Sequence, residues 1–306
     1  MIAVVGESLI DLVHGPGRPM EPRCGGANFN LARTIALLGE PVRLVGRISH
    51  DAFGTMLRDA LAGYGVSPEG IVDTGDPTTL ALAEVDERGV PSYSFYFQGT
   101  SAPGLEPAEA RDALPPDLSV LHVGALGLAL RPLADAAEHV VITAPPGVLV
   151  SVDPNVRPQV ADDHAYRARL ERVLGRADLV KVSAEDLALL EPGAEPLDAA
   201  RRMLDRGARA VLLTRGGDGA TAITPSGAAD VAAPPVTVVD TIGAGDAFGG
   251  AFLAWWRHGG LGVAELGDLE PLTRATAFAC MVASAVVADP FHPETAVGGL
   301  RGAMMN

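Results

Sequence analysis

The sequence predicts an α/β protein with a mostly parallel central sheet and a small β lid. Three observations carry that prediction. Short runs rich in Val, Ile and Leu alternate with segments of helical periodicity, as in βαβ units whose parallel strands are buried on both faces. Several of these runs end in a polar or glycine-rich loop, and ligands gather at strand carboxyl ends in open parallel sheets. One stretch, residues 78–97 (TTLALAEVDERGVPSYSFYF), instead alternates with period two around a DERG turn, the signal of an antiparallel hairpin.

In chain order, IAVVG is the first strand and NFNLARTIALLG a helix closed by Gly39. VRLVGRI is the next strand, and AFGTMLRDALAGYG the helix after it. Beyond the hairpin, SVLHVGA, VLVSVDPN, ADLVKVS and AVLLTRGG read as four apolar strands. The proline- and alanine-rich stretches at 102–116 and 191–200 read as loops, and no internal repeat is present. PVTVVD, residues 235–240, reads as a last strand before a turn at Gly243 and Gly245. The segment DAFGGAFLAWWRHGG then spaces Phe248, Phe252 and Trp255 on one helical face, and RATAFACMVASAVVA forms the terminal helix.

At 306 residues the chain can bury a large core, and it reads as a single domain over 1–306 with a lid of about 12–23 and 78–99 inserted in it. A net charge of -15 disfavours nucleic acid and anionic membranes as partners, because both need a basic face. Cys24 and Cys280 are too few and too isolated for a disulfide framework or a zinc site, which fits a reduced cytoplasmic setting. No basic stretch precedes the first apolar run, and no apolar stretch reaches the roughly 20 residues of a membrane span. His122, His258 and His292 show no ligand-like spacing and read as structural or surface residues.

The stretch VVDTIGAGDAFGG concentrates the chemistry. A helix amino terminus with open N–H groups binds anions, and Asp246 stands where such an anion would react. A carboxylate at a helix start is also an ordinary cap, and the pair Gly-Asp alone does not separate the two. Two nucleotide signatures fail. GAGDAFGG misplaces the third glycine of G-x-G-x-x-G, and G-x-x-x-x-G-K-[ST] is absent because the only lysine is Lys181.

DTIGAGDAF, at 240–248, closely resembles the second signature of the PfkB (ribokinase-like) carbohydrate kinases, D-T-x-G-A-G-D-x-F. The resemblance extends over nearly the whole chain through GESLIDLV, GGANFNLARTIALLG, VGRISHDAFG, the hairpin, DPNVRP, KVSAED, LLTRGGDGA and the terminal helix. GES with DPNxRP is most similar to the fructokinase and 2-keto-3-deoxygluconate kinase branch. The resemblance implies a ribokinase-like three-layer α/β/α sandwich and an ATP-dependent sugar kinase using Mg2+.

By that resemblance Asp246 is the base that takes the sugar hydroxyl proton, and the amides of Gly243, Ala244 and Gly245 hold the γ-phosphoryl. Asp240 corresponds to a position near a monovalent cation such as K+, or else caps its turn. Asp11, Gly25, Gly26 and Asn30 are the sugar positions, with Leu82 and Tyr96 covering the ring from the lid. Asn28 departs from the commoner proline of GGAPxN. Arg157 faces substrate and phosphate, or is a surface residue after a proline turn. Ser183 and Asp186 replace the family's N-x-x-E, with Asp186 serving Mg2+ directly or through water. Lys181 reads as a strand-edge residue. Thr214, Gly216 and Gly219 would lie beneath the nucleotide phosphates and ribose, and Ala279, Cys280 and Ala283 would line the adenine slot. Small residues on that helix also simply permit tight packing.

Gln98 aligns with an arginine that grips the substrate carboxylate in keto-deoxygluconate kinases. Glutamine brings no charge, so a neutral sugar, fructose above all, is expected. A 2-keto-3-deoxygluconate kinase or nucleoside kinase is the alternative within the family, and a catalytically silent sugar sensor the alternative outside catalysis. An apolar lid side with Leu80, Leu82, Phe95 and Phe97 would support a homodimer.

Overall fold

The computed structural model describes residues 1–14, 20–85 and 91–304. The DERG turn and residues 15–19 of the expected lid lie outside the described residues. The strands are β1 Ile2–Val5, β2 Leu9–His14, β3 Glu21–Gly25, β4 Val42–Ser49, β5 Ile71–Thr74, β6 Leu80–Val85 and β7 Pro91–Tyr96. They continue as β8 Val120–Gly124, β9 Leu149–Asp153, β10 Leu179–Ser183, β11 Ala210–Thr214, β12 Ala220–Thr224 and β13 Gly227–Val231.

Nine strands form the main sheet in the order β13-β12-β11-β10-β9-β8-β1-β4-β5. Pairing is parallel from β11 to β5, and β12 and β13 add an antiparallel edge. Successive residues of each inner strand serve opposite cores. In β1, Ile2 and Val4 pack with the helices Ala27–Leu37, Ala244–His258 and Leu269–Ala288, whereas Ala3 and Val5 pack with Leu133–Ile142, His164–Leu174 and Pro196–Asp205. The ribokinase-like three-layer sandwich is therefore present, and two-sided burial explains why these strands read as continuous apolar runs. Strand order reverses between β8 and β1, which opens a crevice at their carboxyl ends.

The second sheet, β3-β2-β6-β7, is built from the segments expected to form the lid. Arg23, Asp11, Ala81 and Phe95 form one cross-strand row, and Cys24, Ile10, Leu80 and Tyr96 the next, so the two rows present opposite faces. The expected apolar side is thereby corrected: Leu80 and Leu82 lie on the face opposite Phe95.

Three other expectations are corrected. PVTVVD is not a strand; Pro234 precedes it and Pro235 opens it, and its backbone is tied to the terminal helix by Val239 N–H to Val287 O at 3.0 Å. The stretch 102–116, read as a loop, contains the helix Pro107–Asp112, and the helix Pro196–Asp205 begins inside 191–200; each has proline in its first turn, where the missing N–H costs nothing. Leu269–Ala288, at 20 residues and mean hydropathy 1.5, is long and apolar enough to cross a membrane. Half of it is buried, and it packs against Ala244–His258, β12 and β13 as a core helix.

Candidate active site

A cavity of about 860 Å³ runs along the carboxyl ends of the strands, from beneath the lid to the terminal helix. Helix Ala244–His258 enters it with Gly243 at its amino-terminal cap. Gly243 has φ 77°, a left-handed conformation that glycine adopts without strain, so the turn can reverse directly into the helix. Ala244 N–H closes that turn on Thr241 O at 3.2 Å, while the amides of Gly243, Gly245 and Asp246 make no hydrogen bond among the described residues. Among the described residues the open donors are thus Gly243, Gly245 and Asp246, whereas the expected trio was Gly243, Ala244 and Gly245.

Asp246 is 9% exposed, and its Oδ2 accepts a hydrogen bond from Asn30 Nδ2 at 2.9 Å. Burial raises its pKa, opposed by the Asn30 hydrogen bond and by the charges of Lys181, Arg157 and Arg33. The carboxylate is a stronger base than a solvated aspartate, as a proton acceptor needs. It makes no bond to its own helix's open amides, so the cap reading of Asp246 is not what the structure displays.

The opposite wall is built by helix Ala27–Leu37. Its cap, Gly26, has φ 103°, and a Cβ on Gly25 would fall 2.0 Å from Asp11 Oδ2, so this glycine lets the Asp11 carboxylate lie over the turn. Burial raises Asp11 to about 6, helped by the charge of Asp246 and opposed by Arg23. Glu7 braces the wall from below. Its Oε1 accepts Ala27 N–H at 3.0 Å, and its Oε2 accepts Asn28 Nδ2 at 2.7 Å and Gly127 N–H at 3.1 Å. Asn28 also donates to Gly124 O, so the residue that replaces proline ties the helix start to β1 and β8. Burial pushes Glu7 up to about 7.

The remaining wall comes from β9 and β10. Lys181 Nζ lies 2.9 Å from Asp153 Oδ2, with both side chains buried, and a Cβ on Gly245 would fall 3.1 Å from the same Nζ. An ammonium group therefore sits directly under the open turn. Desolvation works against its charge, yet Asp153, Asp186 and Asp246 hold it protonated. Asp186 is saturated on three sides: Oδ1 accepts Val156 N–H at 2.7 Å, and Oδ2 accepts Ser183 N–H at 2.9 Å and Ser183 Oγ–H at 2.8 Å. Asn155, with φ 40°, and the exposed Arg157 line the rim, and Glu185 faces the cavity from the first turn of Ala184–Leu190.

Of the residues expected at the site, Asp11, Gly26, Asn30, Arg157, Ser183, Asp186, Thr214, Gly216, Gly219, Gly243, Ala244, Gly245, Asp246, Cys280 and Ala283 line this cavity. Gly25, Leu82, Tyr96, Gln98, Asp240 and Ala279 do not. Leu82 and Tyr96 sit on the lid's other face; Tyr96 is 58% exposed, and Phe95 enters the cavity instead. Gln98 is exposed beyond the end of β7. Ala279 is fully buried in the core. Asp240 Oδ1 accepts Ile242 N–H at 3.0 Å, the turn-capping role. Lys181, read as a strand-edge residue, is buried at the centre. Its signal was its place two residues before Ser183 on a strand whose end reaches the site. Glu7, Asp153 and Glu185 lie inside the motifs GES, DPNVRP and KVSAED, and Phe95 on the lid, but which of these side chains reach the site is decided by tertiary contacts rather than by the motifs.

The family model described as pfkB family carbohydrate kinase matches residues 1–290. A fructokinase of Rhizobium leguminosarum bv. trifolii is 33% identical over 259 residues, covering 83% of this chain and 79% of its own. A Klebsiella pneumoniae fructokinase is 32% identical over 263 residues, covering 83% of each. Among solved structures, a Xylella fastidiosa fructokinase with bound ATP superposes with a TM-score of 0.89 at 28% identity, covering 100% of this chain and 99% of that one. With a buried aspartate beside an open amide turn and a match along almost its whole length, the chain belongs to the pfkB family of carbohydrate kinases.

Proposed function

We propose that this protein is an ATP-dependent fructokinase, with Asp246 as general base and the amides of Gly243, Gly245 and Asp246 as the anion hole. The observation that carries the reading is Asp246 itself: buried, raised in pKa and oriented by Asn30 beside an open amide turn. Phosphoryl transfer depends on positioning and on charge stabilisation. Asp11 and Asn30 present acceptors and a donor to ring hydroxyls, and Phe95 covers the ring. Asp246 takes the proton as the sugar oxygen bonds to phosphorus and the electrons of the broken bond leave with ADP. Lys181, under Gly245, adds positive charge where the transferring group is held. Thr214, Gly216, Gly219, Cys280 and Ala283 form the nucleotide side.

The donor set fits Mg2+ carried by the nucleotide. Asp186 has most of its acceptor capacity filled by Val156 and Ser183, so it would meet the ion through water, while Glu185 offers a carboxylate on the same wall. Mg2+ bound with ATP would neutralise charge on the β- and γ-phosphates. The remaining Asp240 oxygen is assigned to K+, which would stiffen the turn. The lid face that carries Leu82 and the exposed Tyr96 is assigned to a homodimer, and sedimentation tests it. A 2-keto-3-deoxygluconate kinase is the second reading, favoured by the exposed Arg157 on the rim. ADP formation with Mg·ATP and fructose, ribose, 2-keto-3-deoxygluconate or nucleosides tests the choice: fructose alone is expected to react efficiently, and no fructose-dependent ADP would refute it.

A further inference from the structure

Behind the base lies a second, small cavity of about 10 Å³, about what one water molecule requires. Its polar lining is Asn28, His122, Asp153 and Asp246, from four different elements. Asp153 is 4% exposed, and its Oδ2 is bonded to Lys181, but its Oδ1 is buried and accepts no hydrogen bond from the described residues. A buried carboxylate oxygen without a donor is costly, and a polar pocket of this size with several polar partners is where ordered water resides.

We propose that this cavity holds one structural water that bridges Asp153 Oδ1 to the Asp246 carboxylate, making Asp153 a positioning residue that tunes the base. The inference rests on Asp246 being the base of the proposed kinase. The water donates one hydrogen to each carboxylate. His122, buried and kept neutral, donates to it through Nε2 when Ser151 Oγ–H donates to Nδ1, a pair 3.1 Å apart. The Asn28 amide is already committed to Glu7 and Gly124 O. Asp153 never touches substrate. Its negative charge, coupled through the water, opposes the pull of Lys181 and keeps Asp246 basic enough to accept the hydroxyl proton. The sugar O–H bond breaks and its proton rests on Asp246, so the carboxylate pair passes from two negative charges to one, and the water shifts its hydrogen bonding toward Asp153, which stays ionised.

The groups facing Asp246 are Asn30 and Arg33 from helix Ala27–Leu37, Glu7 after β1, Asp11 on β2, His122 on β8, Asp153 on β9, Arg157 after it, and Lys181 on β10. Asp153→Asn removes one negative charge from this set and lowers the proton affinity of Asp246.

Two measurements test the proposal. A high-resolution crystal structure of the wild-type protein is expected to show one ordered water within hydrogen-bond distance of both Asp153 Oδ1 and Asp246. No such density overturns the bridge, whatever the enzyme's activity. The pH profile of fructose turnover is then compared between wild type and Asp153→Asn. The acid limb is expected to move to lower pH by roughly one unit, with kcat reduced and both KM values within about two-fold. A folded variant whose kcat falls with the limb unmoved shows a merely structural role and overturns the tuning. Absent turnover in the wild type refutes the kinase reading instead, and the crystal structure still decides the water if Asp153→Asn does not fold.

Discussion

Lys181 and Asp153 show how a single pair sets the character of the site. Removing one partner of a buried pair leaves an uncompensated charge, so Lys181→Met is expected to lose about 3 to 5 kcal/mol of stability. Urea unfolding checks this, and an unchanged midpoint would mean the pair is not buried in solution. Substrate choice is also a matter of individual residues. Gln98 lies off the cavity and Lys181 is neutralised by Asp153, which leaves Arg157 as the exposed cation on the rim. Losing a charge-assisted grip of roughly 1.5 to 3 kcal/mol lowers affinity for a sugar acid by about one to two decades. The kcat/KM for fructose is therefore expected to exceed that for 2-keto-3-deoxygluconate, and the reverse order would assign Arg157 to a carboxylate. At this scale the sequence was informative where a residue's backbone environment is local, as with Gly243 and Asp246 in one turn. It set Glu7 and Asp153 in the GES and DPNVRP motifs without revealing their partners, which lie 20 or more positions away.

At the scale of elements, the parallel strands were legible because burial on both faces writes an unbroken apolar run. The hairpin was legible from its period-two alternation. Its facing was not, because one residue of register moves every side chain to the other side, and the pairing of Ala81 with Phe95 is set across strands. The helices Pro107–Asp112 and Pro196–Asp205 were obscured by prolines that break helices in the interior but suit the first turn. The lid follows from this facing. With Asp11 and Phe95 directed into the cavity, sugar binding should hold β2, β6 and β7 against the body and exclude water from the transfer. Hydrogen exchange in 80–85 and 91–96 is expected to slow when fructose is added; identical exchange with and without sugar would count against closure.

For the whole molecule, the site concentrates acids that burial makes reluctant to ionise. Glu7 is raised to about 7, Asp11 and Asp153 to about 6, and Asp246 is raised as well. Each binds its proton more tightly in the folded chain than in the unfolded one. Between the unfolded and folded values the native state therefore holds more protons, and stability falls as pH rises. Glu7 alone accounts for about 3 kcal/mol of this loss at pH 8. At the acid end the balance reverses. Although burial works the other way, hydrogen bonds from Thr78, Arg131 and Arg202 hold Asp51, Asp135 and Glu191 low, and their contribution is lost as they protonate. Unfolding free energy should peak near about pH 4, where the raised acids have not yet lost their protons and the lowered ones are still ionised, and decline toward pH 8; a protein more stable at pH 8 than at pH 5.5 would mean these acids are solvated. The net charge of -15 adds self-repulsion in the same direction.

The most direct test of the account compares wild type and Asp246→Asn in fructose-dependent ADP formation, with calorimetric affinities for fructose and for Mg·ATP measured on the same preparations. The amide fills the same space and keeps a contact with Asn30 but cannot take the proton. Turnover is expected to fall by about 10² to 10⁴-fold while both affinities stay within a few-fold. A variant with near-native kcat would contradict the assignment of Asp246 as the base.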